Sequence, residues 1–165
     1  MEGENHELYQ TGNKCGLQTG SIEAIRQSIQ DLQDYLEAGD RPDKVYSGEF
    51  RKQQDRKALE WATQNDKQVI PETDFLALWR HSGKIRGGEN LVYFMQDADG
   101  LTWAIKMNEL TYHHGDMAAL AERLIKSSEY FPDTTLEIIG MVATPRGVKP
   151  LLRQEFVVTN PRQSP

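Results

Sequence analysis

The sequence predicts an α+β domain in which helices come first and an antiparallel sheet follows. Up to about residue 82, apolar residues recur at every third or fourth position, which is typical of helices. From Gly83 onward, short β-rich runs alternate with turn residues, which indicates strands. The chain has 165 residues, 38% of them hydrophobic and 27% charged, so it can form one ordinary domain with a polar surface.

Composition also excludes several classes of protein. The apolar runs are only about five residues long, far short of the roughly 20 that a membrane-spanning helix needs. The segment Met1–Asn5 is acidic and has no apolar stretch, so no signal peptide is predicted. The single cysteine, Cys15, has no internal disulfide partner, and we therefore expect a cytoplasmic protein. The net charge of −6 argues against nonspecific binding of nucleic acid.

The first helix carries one apolar stripe. Residues 1–20 lack periodicity and are predicted to be a flexible arm. Ser21 is the predicted N-cap and Gly39 the predicted C-cap of the helix that follows. Its stripe must be covered either by the rest of this chain or by a second copy, so a homodimer through this helix is an alternative to packing on the domain. The stripe consists of Ile22, Ile25, Ile29, Leu32 and Leu36.

Two further helices complete the predicted helical region, residues 21–82. The first spans about Gly48–Gln64 and has a polar first half and an apolar second half. The second begins after Pro71, with Thr73 or Asp74 as its cap. Its predicted packing residues are Phe75, Leu76, Leu78 and Trp79.

Residues 83–159 predict a second unit made of two hairpins and a helix. A turn at Asp97–Gly100 joins a strand that begins at Leu91 to a strand over Leu101–Met107, with Trp103 and Ile105 on one face. Asp116–Ser128 is predicted to be an amphipathic helix that buries Met117, Leu120, Ala121, Leu124 and Ile125. The second hairpin joins Leu136–Ala143 to Val148–Thr159 through Pro145–Gly147. Residues 160–165 are predicted to be a disordered tail.

Three features of this unit could carry chemistry. Gly83–Tyr93 is a glycine-rich turn that leads into a strand, and glycines let backbone N–H groups approach phosphate oxygens. Lys106 then ends an apolar strand, where its ammonium could reach a phosphate. Glu122 follows on the next helix, where a glutamate could hold that lysine. Each feature alone is weak evidence for a nucleotide site, and only their order along the chain is informative.

In this order the features resemble the small lobe of a protein kinase. From about Phe50 to Val157 the chain is similar to the kinase domain of bacterial polyvalent proteins, which are mosaic proteins of phages and conjugative elements. The motifs that carry this resemblance are Gln53 with Trp61-Ala62, Gly87-Gly88-Glu89-Asn90-Leu91-Val92-Tyr93, Tyr112-His113, Phe131-Pro132-Asp133-Thr134, Glu137–Gly140 and Gln154-Glu155-Phe156.

The resemblance implies a role for each matching residue. Lys106 would contact nucleotide phosphates, and Glu122, or as a second choice Glu129, would form an ion pair with it. Gln154 would occupy the gatekeeper position, while the backbones of Glu155 and Val157 would meet adenine at the hinge. The remaining implied nucleotide-binding residues are Gly87, Gly88, Glu89, Asn90, Val92 and Ala104. The loop departs from the common kinase pattern, which has glycines where this chain has Ile85 and Asn90.

The implied activity is phosphoryl transfer from ATP with Mg²⁺ in the complete kinase domain. The catalytic aspartate and the metal ligands belong to a large lobe that follows the hinge. The chain reaches Pro165 shortly after the hinge, so we expect it to be inactive alone and to need a second lobe or another protein partner. The rival hypothesis is a non-enzymatic interaction or dimerisation module that reuses the small-lobe fold. Neither hypothesis implies binding to nucleic acid or to a membrane.

A second candidate, His113-His114-Gly115-Asp116, resembles the catalytic loop of aminoglycoside-type phosphotransferases. It lies before the helix rather than after the hinge, and Ala121 stands where that loop has asparagine. Asp116 is therefore predicted to be a helix N-cap. The two adjacent histidines point to opposite sides in most backbones and lack cysteine or acidic partners, so no metal site is predicted.

Overall fold

A computed structural model of the chain describes residues 19–39 and 47–156, with side chains from Ser21 onward. Most of the predicted arm, the predicted tail and Val157 lie outside the described residues. The four α-helices of the described part are α1 (Thr19–Glu37), α2 (Gly48–Gln64), α3 (Glu72–His81) and α4 (Met117–Tyr130). No helix among the described residues is long and apolar enough to span a membrane.

A six-stranded sheet forms the centre of the fold. Its strands lie in the order β1-β5-β6-β4-β3-β2, and every neighbouring pair is antiparallel except β1 and β5, which are parallel. The predicted α+β class is confirmed. The prediction of an antiparallel sheet is wrong only at the edge where β1 pairs with β5. The strands are β1 (Gln68–Pro71), β2 (Ile85–Gly87), β3 (Asn90–Gln96), β4 (Thr102–Asn108), β5 (Glu137–Thr144) and β6 (Gly147–Phe156).

The parallel strand β1 was not predicted because its sequence carries little strand signal. It has four residues, ends in Pro71 and is mostly exposed, so no alternating apolar pattern marks it. Gly140 of β5 is the register partner of Gln68. A β-carbon at Gly140 would stand 2.8 Å from Cγ of Gln68 and closer still to its carbonyl oxygen, so only glycine permits this approach.

Each face of the sheet has its own hydrophobic core. Helices α1, α2 and α4 cover one face, where Trp61, Leu120 and Leu152 are buried together. Helix α3 covers the other face, where Phe75 packs with Trp103 and Ile105. Trp103 and Ile105 thus share a face, as the strand alternation predicted.

Helix α1 is part of the first core. Ile25, Ile29, Leu32 and Leu36 are at most 8% exposed and pack in the same cluster as residues of α4. Because these side chains are buried within the chain, packing on the domain accounts for the stripe, and a homodimer through this helix stays a prediction. The helix begins two residues before the predicted cap Ser21. Gly39 has a φ of 76°, as expected just beyond a helix end.

Local signals located the other helices well. Helix α2 has the predicted bounds, and the side chain of Ser47 caps it by accepting a bond from the N–H of Phe50. Helix α3 follows Pro71 directly, so neither Thr73 nor Asp74 is its cap. Leu78, predicted to pack, is 47% exposed because it lies on the outer side of this short helix.

Candidate functional site

Lys106 lies on the third strand of the unit that starts at the glycine turn. Strands β2, β3 and β4 follow one another as antiparallel neighbours, and Lys106 pairs with Val92 across β3 and β4. Val92 and Ala104 are buried, share the face of Lys106 and belong to neither core cluster. A lysine on a third strand, after a glycine turn, is the arrangement found at kinase nucleotide sites.

The ammonium of Lys106 contacts a neutral side chain rather than a carboxylate. Its Nζ donates a hydrogen bond of 3.0 Å to Oε1 of Gln154 on β6. The residue is partly buried, and this burial lowers the pKa of Lys106 below the usual value of lysine. Among the described residues no carboxylate forms an ion pair with Lys106, so its ammonium, when protonated, is free to attract an anion.

The structure does not bring Glu122 to Lys106. Glu122 is exposed on α4 and forms an ion pair with Lys126, one helical turn later, at 3.2 Å. Glu129, the second choice, is also exposed. Helix α4 presents its apolar side to the sheet, so both glutamates lie away from the buried face.

The glycine turn is a two-residue hairpin loop. Gly87 and Asn90 are register partners, so Gly88 and Glu89 form the loop between β2 and β3. Gly88 has a φ of 60°, and a glycine at the first loop position is typical of a type II′ turn. A β-carbon there would also lie 3.3 Å from the hydroxyl of Tyr112. Both glycines are exposed, so their backbone is accessible to a ligand.

Glu89 points into the protein although it lies in this exposed turn. It is 3% exposed, and its Oε1 accepts a hydrogen bond of 3.1 Å from the N–H of Tyr112. His113 Nδ1 lies 3.4 Å from the same oxygen, and Arg123 of α4 lies 3.7 Å from Oε2. Glu89 therefore anchors the turn to the segment before α4, and its carboxylate is not available to a ligand.

His113 thus has an acidic neighbour, contrary to the sequence-based expectation. Sequence distance concealed it, because Glu89 lies 23 residues before the segment that it meets in space. His114 is exposed. Among residues 19–39 and 47–156, no group of three or more His, Cys, Asp or Glu side chains is placed to hold a metal ion.

Asn90 and Asn108 join β3 to β4 near the glycine turn. Nδ2 of Asn108 donates to Oδ1 of Asn90 at 3.0 Å, and Oδ1 of Asn108 accepts from the N–H of Leu110 at 2.7 Å. Asn108 is 1% exposed, so these bonds satisfy a buried amide. Asn90 therefore has a structural role in fixing the base of the turn.

The predicted hinge lies at the end of β6. Glu155 is still paired in the sheet, opposite Trp103, and burial followed by the nearby Asp97 raises the pKa of its carboxyl. The ring of Phe156 packs on that of Phe94, with centroids 4.7 Å apart. Phe156 and Phe94 lie on the face of Lys106, because their register partners on β4 are separated from Lys106 by an even number of residues and therefore point to the same side. The backbone of Val157 is outside the described residues.

Two interactions that the sequence did not reveal position α4. Gln54 of α2 donates to the carbonyl of Gly115 and accepts from the N–H of Met117, both at 2.8 Å. Asp116 caps the same helix by accepting from the N–H of Ala118 at 3.1 Å, which confirms the predicted N-cap. A buried glutamine on a mostly polar helix surface gives no periodic signal, so its role required the tertiary structure.

The second interaction joins α1 to the far end of α4. Nε of Arg26 donates to the hydroxyl of Ser128 at 2.9 Å, and the guanidinium also contacts the Ser128 carbonyl. Ser128 is buried. Helix α4 is therefore held at its start by α2 and at its end by α1.

Comparison with known proteins identifies the family of this chain. Residues 51–164 match a family described as the serine/threonine/tyrosine kinase found in polyvalent proteins. No curated protein and no solved structure shows a significant match. The match covers more than half of the chain and includes the glycine turn, Lys106 and Gln154. The chain therefore belongs to the family of Ser/Thr/Tyr kinases found in polyvalent proteins.

Proposed function

We propose that this chain is the nucleotide-binding small lobe of a polyvalent-protein-type protein kinase. The observation that carries the proposal is the position of Lys106. It lies on β4, the second strand after the glycine turn, beside the buried Val92 and Ala104, and no carboxylate of the described residues forms an ion pair with it. Membership of the kinase family supports the same conclusion.

The described residues suit ATP in three respects. The exposed backbone of Gly87 and Gly88 offers N–H groups to phosphate oxygens. Lys106 supplies a positive charge for the phosphates. The Phe94–Phe156 pair, at the end of the sheet face that Val92 and Ala104 line, offers partly exposed apolar surface to an adenine ring. In this proposal Glu122 does not contact Lys106 directly, and it pairs with Lys126 instead.

In the proposed reaction these residues bind and orient the nucleotide. Bound Mg²⁺ would bridge the phosphates and neutralise the charge that develops on them. The residues that hold Mg²⁺ and accept the proton of the substrate hydroxyl belong to the large lobe in protein kinases. We therefore propose that the chain binds ATP in the cytoplasm but transfers no phosphoryl group until a second lobe, or another partner, completes the site.

Calorimetric titration of the chain with ATP and Mg²⁺ tests this proposal. The wild type should show saturable binding, and Lys106→Ala should bind at least about tenfold more weakly. Lys52 is an exposed lysine on α2, so Lys52→Ala is the control and should bind as the wild type does. Absence of saturable binding in the wild type would overturn the proposal and favour the non-enzymatic interaction module. Equal binding by the wild type and Lys106→Ala would overturn the assignment of the site.

A further inference from the structure

Gln154 connects Lys106 to the turn that follows α4. Its Oε1 accepts from Nζ of Lys106 at 3.0 Å, and its Nε2 donates to the carbonyl of Thr134 at 2.7 Å. Lysine only donates and a carbonyl only accepts, so a single orientation of the amide satisfies both bonds. We propose that Gln154 is the positioning residue of Lys106, taking the place that a helix glutamate fills in other kinases. This inference rests on the proposed nucleotide site.

The sheet places the two side chains together. Gln154 is the register partner of Ala104, and Lys106 is that of Leu152, so Gln154 and Lys106 are diagonal neighbours on one face of β4 and β6. Diagonal pairs on a sheet are within reach of long side chains. The contact therefore depends on two adjacent central strands and not on the rotation of a helix.

The turn that holds Gln154 is itself ordered. Pro132–Thr134 forms a short 3₁₀-helix directly after α4, and both the N–H and the hydroxyl of Thr134 donate to the carbonyl of Phe131 at 3.1 Å. The Thr134 carbonyl consequently has a fixed position. The amide of Gln154 thus joins two sequence motifs, Phe131–Thr134 and Gln154–Phe156. Thr134 and Gln154 are 20 residues apart in the sequence.

A neutral partner has a chemical consequence. A carboxylate would hold Lys106 more strongly but would compete with phosphate for its charge. The glutamine amide fixes the ammonium by a hydrogen bond and leaves the full charge for a polyphosphate. The outward pair of Glu122 with Lys126 agrees with a lysine that needs no helix glutamate.

The experiment measures the reactivity of Lys106 in the chain without nucleotide. Wild type, Gln154→Leu, Gln154→Glu and Glu122→Gln are labelled with an amine reagent at mildly alkaline pH, and mass spectrometry follows modification of Lys106. Loss of the acceptor destabilises the ammonium, so Gln154→Leu should label roughly tenfold faster. Gln154→Glu keeps an acceptor and should label no faster than the wild type. Gln96→Leu, the same change at an exposed position on β3, is the matched control.

Calorimetry with ATP and Mg²⁺ supplies the second measurement. Gln154→Leu should weaken binding several-fold in the wild-type background and should add nothing in the Lys106→Met background, because the two residues act as a unit. Thermal melts confirm that each variant is folded before either measurement is interpreted.

The outcomes separate this inference from the proposed function. If the wild type binds ATP but Gln154→Leu labels and binds as the wild type does, the positioning role is wrong and the proposed function survives. A Glu122→Gln variant that labels faster would also overturn it. If Gln154→Leu labels faster but the wild type binds no ATP, the Lys106–Gln154 pair is real, its role toward phosphate is wrong, and the proposed function fails.

Discussion

Gly140 of β5 lies so close to Gln68 of β1 that no side chain fits between the two backbones. This approach attaches the segment between α2 and α3 to the sheet, because Gln68–Pro71 pairs with Gly140–Ala143 in parallel. The glycine in the Glu137–Gly140 motif thus has a packing role that a strand pattern does not reveal.

Replacing this glycine should disrupt the edge of the sheet. Gly140→Ala should lower the free energy of unfolding by about 1–3 kcal/mol or more, because the added methyl group forces the β1 backbone away. Chemical denaturation measures this difference. Gly48→Ala is the control, since a β-carbon at this helical position meets nothing within 4 Å. Equal stability of Gly140→Ala and the wild type would show that β1 is not held at this distance.

Helix α1 should contribute to the stability of the folded unit. Leu32 is fully buried against the first core, so Leu32→Ala should cost about 2–5 kcal/mol of unfolding free energy. Leu78→Ala on α3 should cost much less, because Leu78 is 47% exposed. Denaturation at two protein concentrations provides the measurement. A loss at Leu32 that depended on protein concentration would instead favour dimerisation through α1.

Gln54 should determine the position of α4. Gln54→Leu removes the side-chain partner of the Gly115 carbonyl and of the Met117 N–H. Because two buried hydrogen bonds are lost, the free energy of unfolding should fall by about 2–4 kcal/mol. Amide hydrogen exchange in the first turn of α4 should also accelerate. Gln64→Leu, an exposed glutamine on the same helix, should leave both quantities nearly unchanged. Unchanged exchange at Met117 in Gln54→Leu would contradict this role.

Binding of ATP should weaken at alkaline pH through Lys106. The ammonium is charged below its pKa and neutral above it, and burial lowers that pKa below the usual 10.5 of lysine. As the pH rises toward 10.5, Lys106 should therefore lose its positive charge at a lower pH than an exposed lysine does. The affinity for ATP should fall with that loss. Isothermal titrations across this range measure the effect. Lys106→Ala should show a much flatter dependence, and a parallel decline in both proteins would exclude Lys106 as the cause.

The sequence by itself determined the elements whose pattern is local. The bounds of α2, the hairpin of β3 and β4, the cap at Asp116 and the apolar face of α4 follow from periodicity, turn residues and capping chemistry. The order of motifs also identified the kinase family, because a series of short matches is specific where each alone is not.

Only the tertiary structure decided which side chains meet across the chain. Glu89 lies in an exposed turn but is buried against Tyr112, and Lys106 contacts Gln154 rather than Glu122. Sequence spacing predicts contacts only between residues that are close in the sequence, whereas these partners are 23 and 48 residues apart. The Lys106–Gln154 contact depends on strand register, whereas the outward position of Glu122 depends on the rotation of α4. Both are set by packing of the whole core.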